Sequence, residues 1–256
     1  MNMMATTIAP FAGKVALVTG AAAGFGDAIA RRLAAGGARL ILLDRDAERG
    51  QSLTAQLQQE GKQALFIEVD VADPDRLRAA LEEGIAHYGA LDLAVNNAGV
   101  SGGPMAPIWE MPFAQWRNTH AVNLDSVFTC LQVEMAAMLG RGGAIVNMAS
   151  ILGQVAMGGV AHYVSSKHGL VGLTRTAALD GGPQGIRVNA VAPTFVPTAL
   201  TAAVPPEVWT DLRARHALAH LPTPAEVAAL TCFLLSDDAA SITGSVHLAD
   251  AGWCAQ

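Results

Sequence analysis

The chain has 256 residues, 52% of them hydrophobic and 26 of them glycine, and a formal net charge of -6. That length and apolar content suit one α/β domain spanning residues 1–256 around a large core, and the dispersed negative charge offers no basic stripe for a nucleic-acid backbone. Cys130, Cys232 and Cys254 stand far apart without CxxC spacing, which argues against a disulfide framework or a zinc cluster and for a reducing compartment, the cytoplasm.

At the start of the chain, MNMMATTIAPFA lacks the basic and long apolar regions of a signal peptide. No later stretch has the ~18 uninterrupted apolar residues of a membrane span, so a soluble protein without a membrane partner is expected. From Lys14 onward, short aliphatic runs alternate with glycine-rich punctuation and segments of helical period, the rhythm of stacked βαβ units. Strands are expected at 14–19, 38–44, 63–70, 91–97, 144–150, 186–192 and 245–249. Several are apolar at consecutive positions, as parallel strands covered on both faces should be. The helix before the fourth strand is the best marked: Asp73 caps it, Pro74 fits its first turn and Gly89 ends it. Right-handed crossovers then give a Rossmann-type, doubly wound parallel sheet of seven strands with helices on both faces. Ligands in such a sheet sit beyond the carboxyl ends of the strands.

The first strand runs into Thr19-Gly20-Ala21-Ala22-Ala23-Gly24-Phe25-Gly26, followed by a helix expected over 27–35. Glycines at 20, 24 and 26 let a pyrophosphate approach backbone amides at the positive end of a helix, which makes Gly20, Ala23, Gly24, Phe25 and Gly26 candidate cofactor residues. Asp44 ends the second strand, where a carboxylate can accept hydrogen bonds from both ribose hydroxyls of an adenosine. A 2′-phosphate would bring roughly two further negative charges against it. The loop contains no lysine or arginine to offset them, so the expected cofactor is NAD. Arg45, beside Asp44, is the one group placed to favour NADP instead. Asp70 and Val71 end the third strand at the adenine position, although Asp70 reads equally well as a turn cap. Asn97, Ala98 and Gly99 end the fourth, where small residues leave room for the ligand.

Farther along, Tyr163 and Lys167 stand four apart, one turn from each other on one helix face. A phenol with pKa near ~10 is a poor base at neutral pH, and bringing it down to neutrality takes about 4 kcal/mol. A neighbouring ammonium and a positive nicotinamide ring both act in that direction. Tyr163 then takes the hydroxyl proton of an alcohol while hydride leaves carbon, Lys167 binds the nicotinamide ribose, and Ser150, at the end of the fifth strand, holds the substrate oxygen.

The order of motifs, TGAAAGFG, Asp44, Asp70, NNAG at 96–99, Asn123 within HAVNL, IVNMAS ending at Ser150, YVSSK, NAVAP at 189–193 and ITGSVHLADAGW, resembles the short-chain dehydrogenase/reductase family in its compact single-domain form. The resemblance covers roughly residues 11–253 and is highly specific, because so many motifs match in sequence. It implies that Asn123 kinks its helix and holds a water in a proton relay with Lys167, completing a tetrad of Asn123, Ser150, Tyr163 and Lys167. It implies that Pro193, Val196 and Thr198 line the nicotinamide site and that the protein is a homotetramer, or failing that a homodimer. Two places depart from the family pattern: Pro193-Thr194 stands for the usual Pro-Gly, and Asp250-Ala251-Gly252 for the usual Asp-Gly-Gly.

The resemblance implies substrate selection by the 101–105 segment, the stretch between Ser150 and Tyr163, and 195–220. Met105, Ile151, Met157, Phe195 and Leu200 there point to an apolar or weakly polar alcohol or ketone. His216 and His220 have i,i+4 spacing but no evident third ligand, and read as a helix face under the substrate loop with no metal. His162 adjoins Tyr163 but projects about 100° away. Rival readings are an NADP-linked ketone reductase on the same fold, a non-catalytic dinucleotide-binding sensor, and an epimerase or dehydratase of the extended type, which needs a longer C-terminal part.

Overall fold

The computed structural model describes residues 9–196 and 206–255. The seven strands are β1 (Val15–Thr19), β2 (Arg39–Asp44), β3 (Ala64–Glu68), β4 (Leu93–Asn96), β5 (Gly143–Met148), β6 (Ile186–Pro193) and β7 (Val246–Ala249). Every one lies on a segment expected from the sequence, its ends shifted by a residue or two. All pair in parallel in the order β3-β2-β1-β4-β5-β6-β7.

The continuous apolar runs follow from burial on both faces. Along β1 and β2, Val15, Leu17, Ile41 and Leu43 point to one face, and Ala16, Val18, Leu40 and Leu42 to the other; all are fully buried. The first face is covered by α3 (Pro74–Tyr88), α5 (Ser126–Met138) and α6 (Ala161–Gly181), the second by α1 (Gly24–Ala35), α2 (Ala47–Gln59) and α8 (Pro224–Leu235). At ~25 cal/mol per Å2 each core leucine contributes roughly 2 kcal/mol, which makes the two apolar layers the main stabilisation of the sheet.

Local signals behave as their chemistry requires. Asp73 accepts from the Arg76 N–H at 3.1 Å, and α3 ends on Gly89 at φ 72°. One boundary is corrected: α1 begins at Gly24, not Asp27, because the glycine loop itself forms the first helical turn. Asp27 points outward and pairs with Arg31 at 3.0 Å. Between α4 (Phe113–His120) and α5, residues Ala121–Asp125 form a π turn, so the backbone deviates at Asn123 as the resemblance implied. Thr194 is accommodated without left-handed backbone, whereas Ala251, in place of a usual glycine, takes φ 48°. No helix among the described residues is long and apolar enough to cross a membrane.

The chain leaves β1 toward β2 and β3, then returns to place β4 on β1's other side. The carboxyl ends of β1 and β4 therefore diverge into opposite connections, opening a crevice at the point where the strand order reverses.

Candidate active site

The crevice is built by a clamp between two strand ends. The Thr19 hydroxyl oxygen accepts from the Asn97 and Ala98 N–H groups at 3.0 and 3.1 Å, while the Asn97 amide donates to the carbonyls of Thr19 and Gly20 at 3.0 and 2.9 Å. Asn97 thus holds the glycine loop in place. That packing explains the glycines: a Cβ on Gly20 would lie 2.8 Å from the Ala98 Cα, and one on Gly26 would collide with the Gly20 carbonyl. Ala23 precedes α1 without any side-chain cap, so the first amides of that helix are left for an anion.

In front of this loop lies a cavity of about 390 Å3. Gly20, Ala23, Gly24, Phe25, Asp44, Asp70, Val71, Asn97, Ala98, Gly99, Tyr163 and Lys167, all candidate cofactor residues, line it. Gly26 lies behind the loop in a packing position, and Pro193 and Val196 line a neighbouring cavity instead. Thr198 and Leu200 lie outside the described residues. At the far end, Asp44 is fixed by two backbone donors, Ala22 N–H to Oδ2 at 2.9 Å and Asp46 N–H to Oδ1 at 3.0 Å. Arg45, Asp46 and Arg49 share that rim, and Arg49 is drawn to Asp46 at 3.5 Å. Asp70 lines the cavity and also caps its turn, accepting from the Ala72 N–H at 3.0 Å. The cradle of glycine backbone, uncapped helix and fixed carboxylate fits a dinucleotide.

The other cavity, about 170 Å3, is lined by Ser101, Ser150, Ile151, Met157 and Phe195, by Thr194, the departure from the family pattern, and by Leu152 and Val160, which the sequence did not single out. Met105 does not line it; its side chain is exposed and rests on Gly159. Tyr163, Phe25 and Ala149 border both cavities.

Ser150, Tyr163 and Lys167 meet at this border. Tyr163 and Lys167 share a face of α6, with the ammonium 5.7 Å from the phenol ring centroid. Lys167 donates to the Met148 carbonyl at 2.8 Å, which ties it to the end of β5 beside Ser150. Burial pushes the Lys167 pKa down to about 8. Burial also pushes Tyr163 up, and hydrogen bonding with Ser150 works only partly against it. In the protein by itself, then, loss of hydration governs the Tyr163 phenol, and the lowering expected from Lys167 and a nicotinamide ring concerns the cofactor-bound site. Asn123, fully buried, pairs both ways with Val100, accepting its N–H at 2.8 Å and donating to its carbonyl at 3.0 Å. Its amide also reaches Ser166 at 3.3 Å, so its side chain binds the π turn to the loop after β4.

The histidines sort differently. His162 is turned away from the Tyr163 face, buried against the Ser101 carbonyl at 3.2 Å. His216 and His220 do not share a helix face, because α7 (Pro206–Ala214) ends before either. His216 is buried against Thr194, and His220 pairs with Glu226 at 3.6 Å.

Comparison with known proteins agrees with this architecture. A family model described as enoyl-(acyl carrier protein) reductase matches residues 20–254. The chain is 40% identical to a cis-4-hydroxycyclohexanecarboxylate dehydrogenase of Sinomonas cyclohexanicum, over 96% of this chain and 98% of that one. It is 38% identical to a cyclohexanol dehydrogenase of Acinetobacter sp. (strain SE19), over 95% and 96%. A crystal structure of a short-chain type dehydrogenase/reductase from Mycobacterium marinum superposes with a TM-score of 0.91 at 30% identity, covering 97% of this chain and 98% of that one.

Proposed function

Because the chain belongs to the short-chain dehydrogenase/reductase family and is an NAD(P)-dependent alcohol dehydrogenase or ketone reductase, we propose that it uses NAD to interconvert a compact, weakly polar secondary alcohol and its ketone. The observation that carries this reading is Tyr163 at the junction of a dinucleotide-shaped cavity and an apolar one, with Ser150 and Lys167 beside it. The dinucleotide supplies the hydride acceptor or donor. Gly20, Ala23, Gly24 and Phe25 hold its phosphates, Asp44 its adenosine ribose, and Asp70, Val71, Asn97, Ala98 and Gly99 the walls around it; Pro193, Val196 and Thr198 complete the nicotinamide end.

Tyr163 takes the hydroxyl proton of the alcohol in oxidation and returns it in reduction. Ser150 donates to the substrate oxygen and stabilises the charge that develops there. Lys167 spends one N–H on Met148 and keeps the rest for the nicotinamide ribose, while its charge favours the phenolate. Asn123 fixes the π turn beside Lys167 and supports the water through which the proton leaves.

NAD is favoured because Asp44 is immobilised by two backbone donors and cannot swing away from a 2′-phosphate. Arg45 and Arg49 at the same rim favour the second reading, an NADP-dependent reductase. Ile151, Met157, Phe195, Leu200 and the Ser150–Tyr163 pair form the substrate contacts. Among the described residues no charged side chain lines this cavity, and its size suits a six-membered carbocycle. A neutral cyclohexanol-like alcohol therefore fits better than a hydroxycyclohexane acid, whose carboxylate would be desolvated without a partner. Steady-state oxidation of cyclohexanol and of cis-4-hydroxycyclohexanecarboxylate with NAD tests this. A higher kcat/KM for the neutral alcohol supports the reading, and a preference for the acid overturns it. The enzyme acts in the cytoplasm, in keeping with its three free cysteines, and as a homotetramer, in keeping with exposed Phe113, Phe128 and Leu179 on α4, α5 and α6.

A further inference from the structure

Thr194 stands where the family usually carries glycine, and its hydroxyl has a buried partner. The Thr194 Oγ1 lies 3.1 Å from Nε2 of His216, a residue 3% exposed at the exit of α7. The other ring nitrogen, Nδ1, lies 2.6 Å from the Leu212 carbonyl. A carbonyl only accepts, so in the neutral ring the proton sits on Nδ1 and Nε2 offers a lone pair. Thr194 is therefore the donor.

The same imidazole packs on the C-terminal turn, its centroid 5.0 Å from that of Trp253, and Trp253 meets Phe195 edge to face at 5.4 Å. The Leu218 N–H donates to the Ala251 carbonyl at 3.2 Å, and a Cβ on Gly252 would come within 2.6 Å of the Ala217 Cβ. Residues 216–218 are thus pressed between the cavity wall at Thr194 and Phe195 and the turn at 250–254.

We propose that the Thr194–His216 hydrogen bond is a specificity-determining latch: it holds the α7 exit and the C-terminal turn against the substrate cavity and keeps that cavity small enough to prefer compact alcohols. The proposal rests on the reading of this cavity as the substrate site. Thr194 sets the wall directly, and His216 is a positioning residue acting through it. A glycine at 194 has no hydroxyl with which to close the latch.

Thr194→Val keeps the shape and removes the donor, whereas Thr194→Ser keeps the donor. Loss of one buried neutral hydrogen bond corresponds to about a fivefold change in an equilibrium. The expected results for Thr194→Val are amide hydrogen exchange about fivefold faster over 212–219, a KM for cyclohexanol raised by more than kcat falls, and a relative kcat/KM for 4-tert-butylcyclohexanol over cyclohexanol that increases. Thr194→Ser returns exchange and the KM-to-kcat split toward wild type, and NADH affinity is the same in all three proteins. Wild-type exchange in Thr194→Val, or a Thr194→Ser protein that behaves like Thr194→Val, overturns the latch. If wild type oxidises no secondary alcohol, the functional reading fails, and the exchange measurement still decides whether the latch exists.

Discussion

At the scale of single residues, the chemistry turns on one proton. Burial raises the Tyr163 pKa above its ordinary value, and alcohol oxidation needs the phenolate while ketone reduction needs the phenol. Oxidation should therefore accelerate from neutral into alkaline pH and reduction should slow over the same range; initial rates in both directions across pH check this, and an oxidation rate that falls as pH rises would contradict it. Tyr163→Phe removes the proton carrier with little change in shape, and kcat should drop by about a thousandfold or more. NADH binding by fluorescence titration should stay within about twofold, because the hydroxyl is small beside the glycine cradle and Asp44. Much of this was legible in the sequence, since Asp44, Ser150, Tyr163 and Lys167 belong to short motifs whose spacing reflects the chemistry. Thr194–His216 was not legible: its partners are 22 residues apart and meet only where residues 216–218, after α7, pack on the C-terminal turn. Desolvation at Tyr163 was not legible for a similar reason, as charge neighbours can be read from spacing and burial cannot.

At the scale of elements, capping and periodicity gave α3 almost entire, because Asp73, Pro74 and Gly89 each act locally. The start of α1 was missed since glycine propensity argues against a helix, and the close approach of Gly26 to the Gly20 carbonyl and the Asn97 amide exists only in the fold. Another tertiary feature joins α5 to the sheet beneath the site. Glu134 on α5 is fully buried, accepts from the Asn96 amide at 3.0 Å, and is pushed by burial to a pKa of about 7. Asn96 donates in turn to Asn147 at 3.0 Å, and Asn147 to Thr174 at 2.9 Å, linking β4, β5 and α6. The sign follows from proton linkage: a carboxyl whose folded pKa lies above its unfolded one costs nothing below the unfolded value of 4.5 and its full penalty above about 7. That penalty is at most about 3 kcal/mol. Glu134→Gln keeps an acceptor for Asn96 and removes the charge, so it should be more stable than wild type at pH 8 and lose the advantage at pH 4. Urea midpoints at the two values measure this, and a Glu134→Gln protein destabilised equally at both would contradict it.

For the molecule as a whole, the strand order places the two cavities side by side. Reversal between β1 and β4 opens the crevice, and the loops after β5 and β6 carry Ser150 and Thr194 to its other end. Seven strands could be counted from the sequence because double burial gives several, β1 and β2 above all, an apolar run, and glycine-rich punctuation separates the rest. Their order was not legible: the handedness of the crossovers and the family resemblance led only to a doubly wound parallel sheet of seven strands. The size of the second cavity could not be read in advance, since Leu152 and Val160 look like ordinary core residues and become its walls only in the assembled sheet. The central claim joins cofactor choice to alcohol oxidation, and the most direct test is the appearance of reduced nicotinamide from cyclohexanol with NAD or NADP, in wild type and Asp44→Ala side by side. A kcat/KM for NAD at least about tenfold above that for NADP in wild type, narrowing in Asp44→Ala, is the predicted result. Turnover with NADP alone, or a cofactor preference indifferent to Asp44, would contradict it.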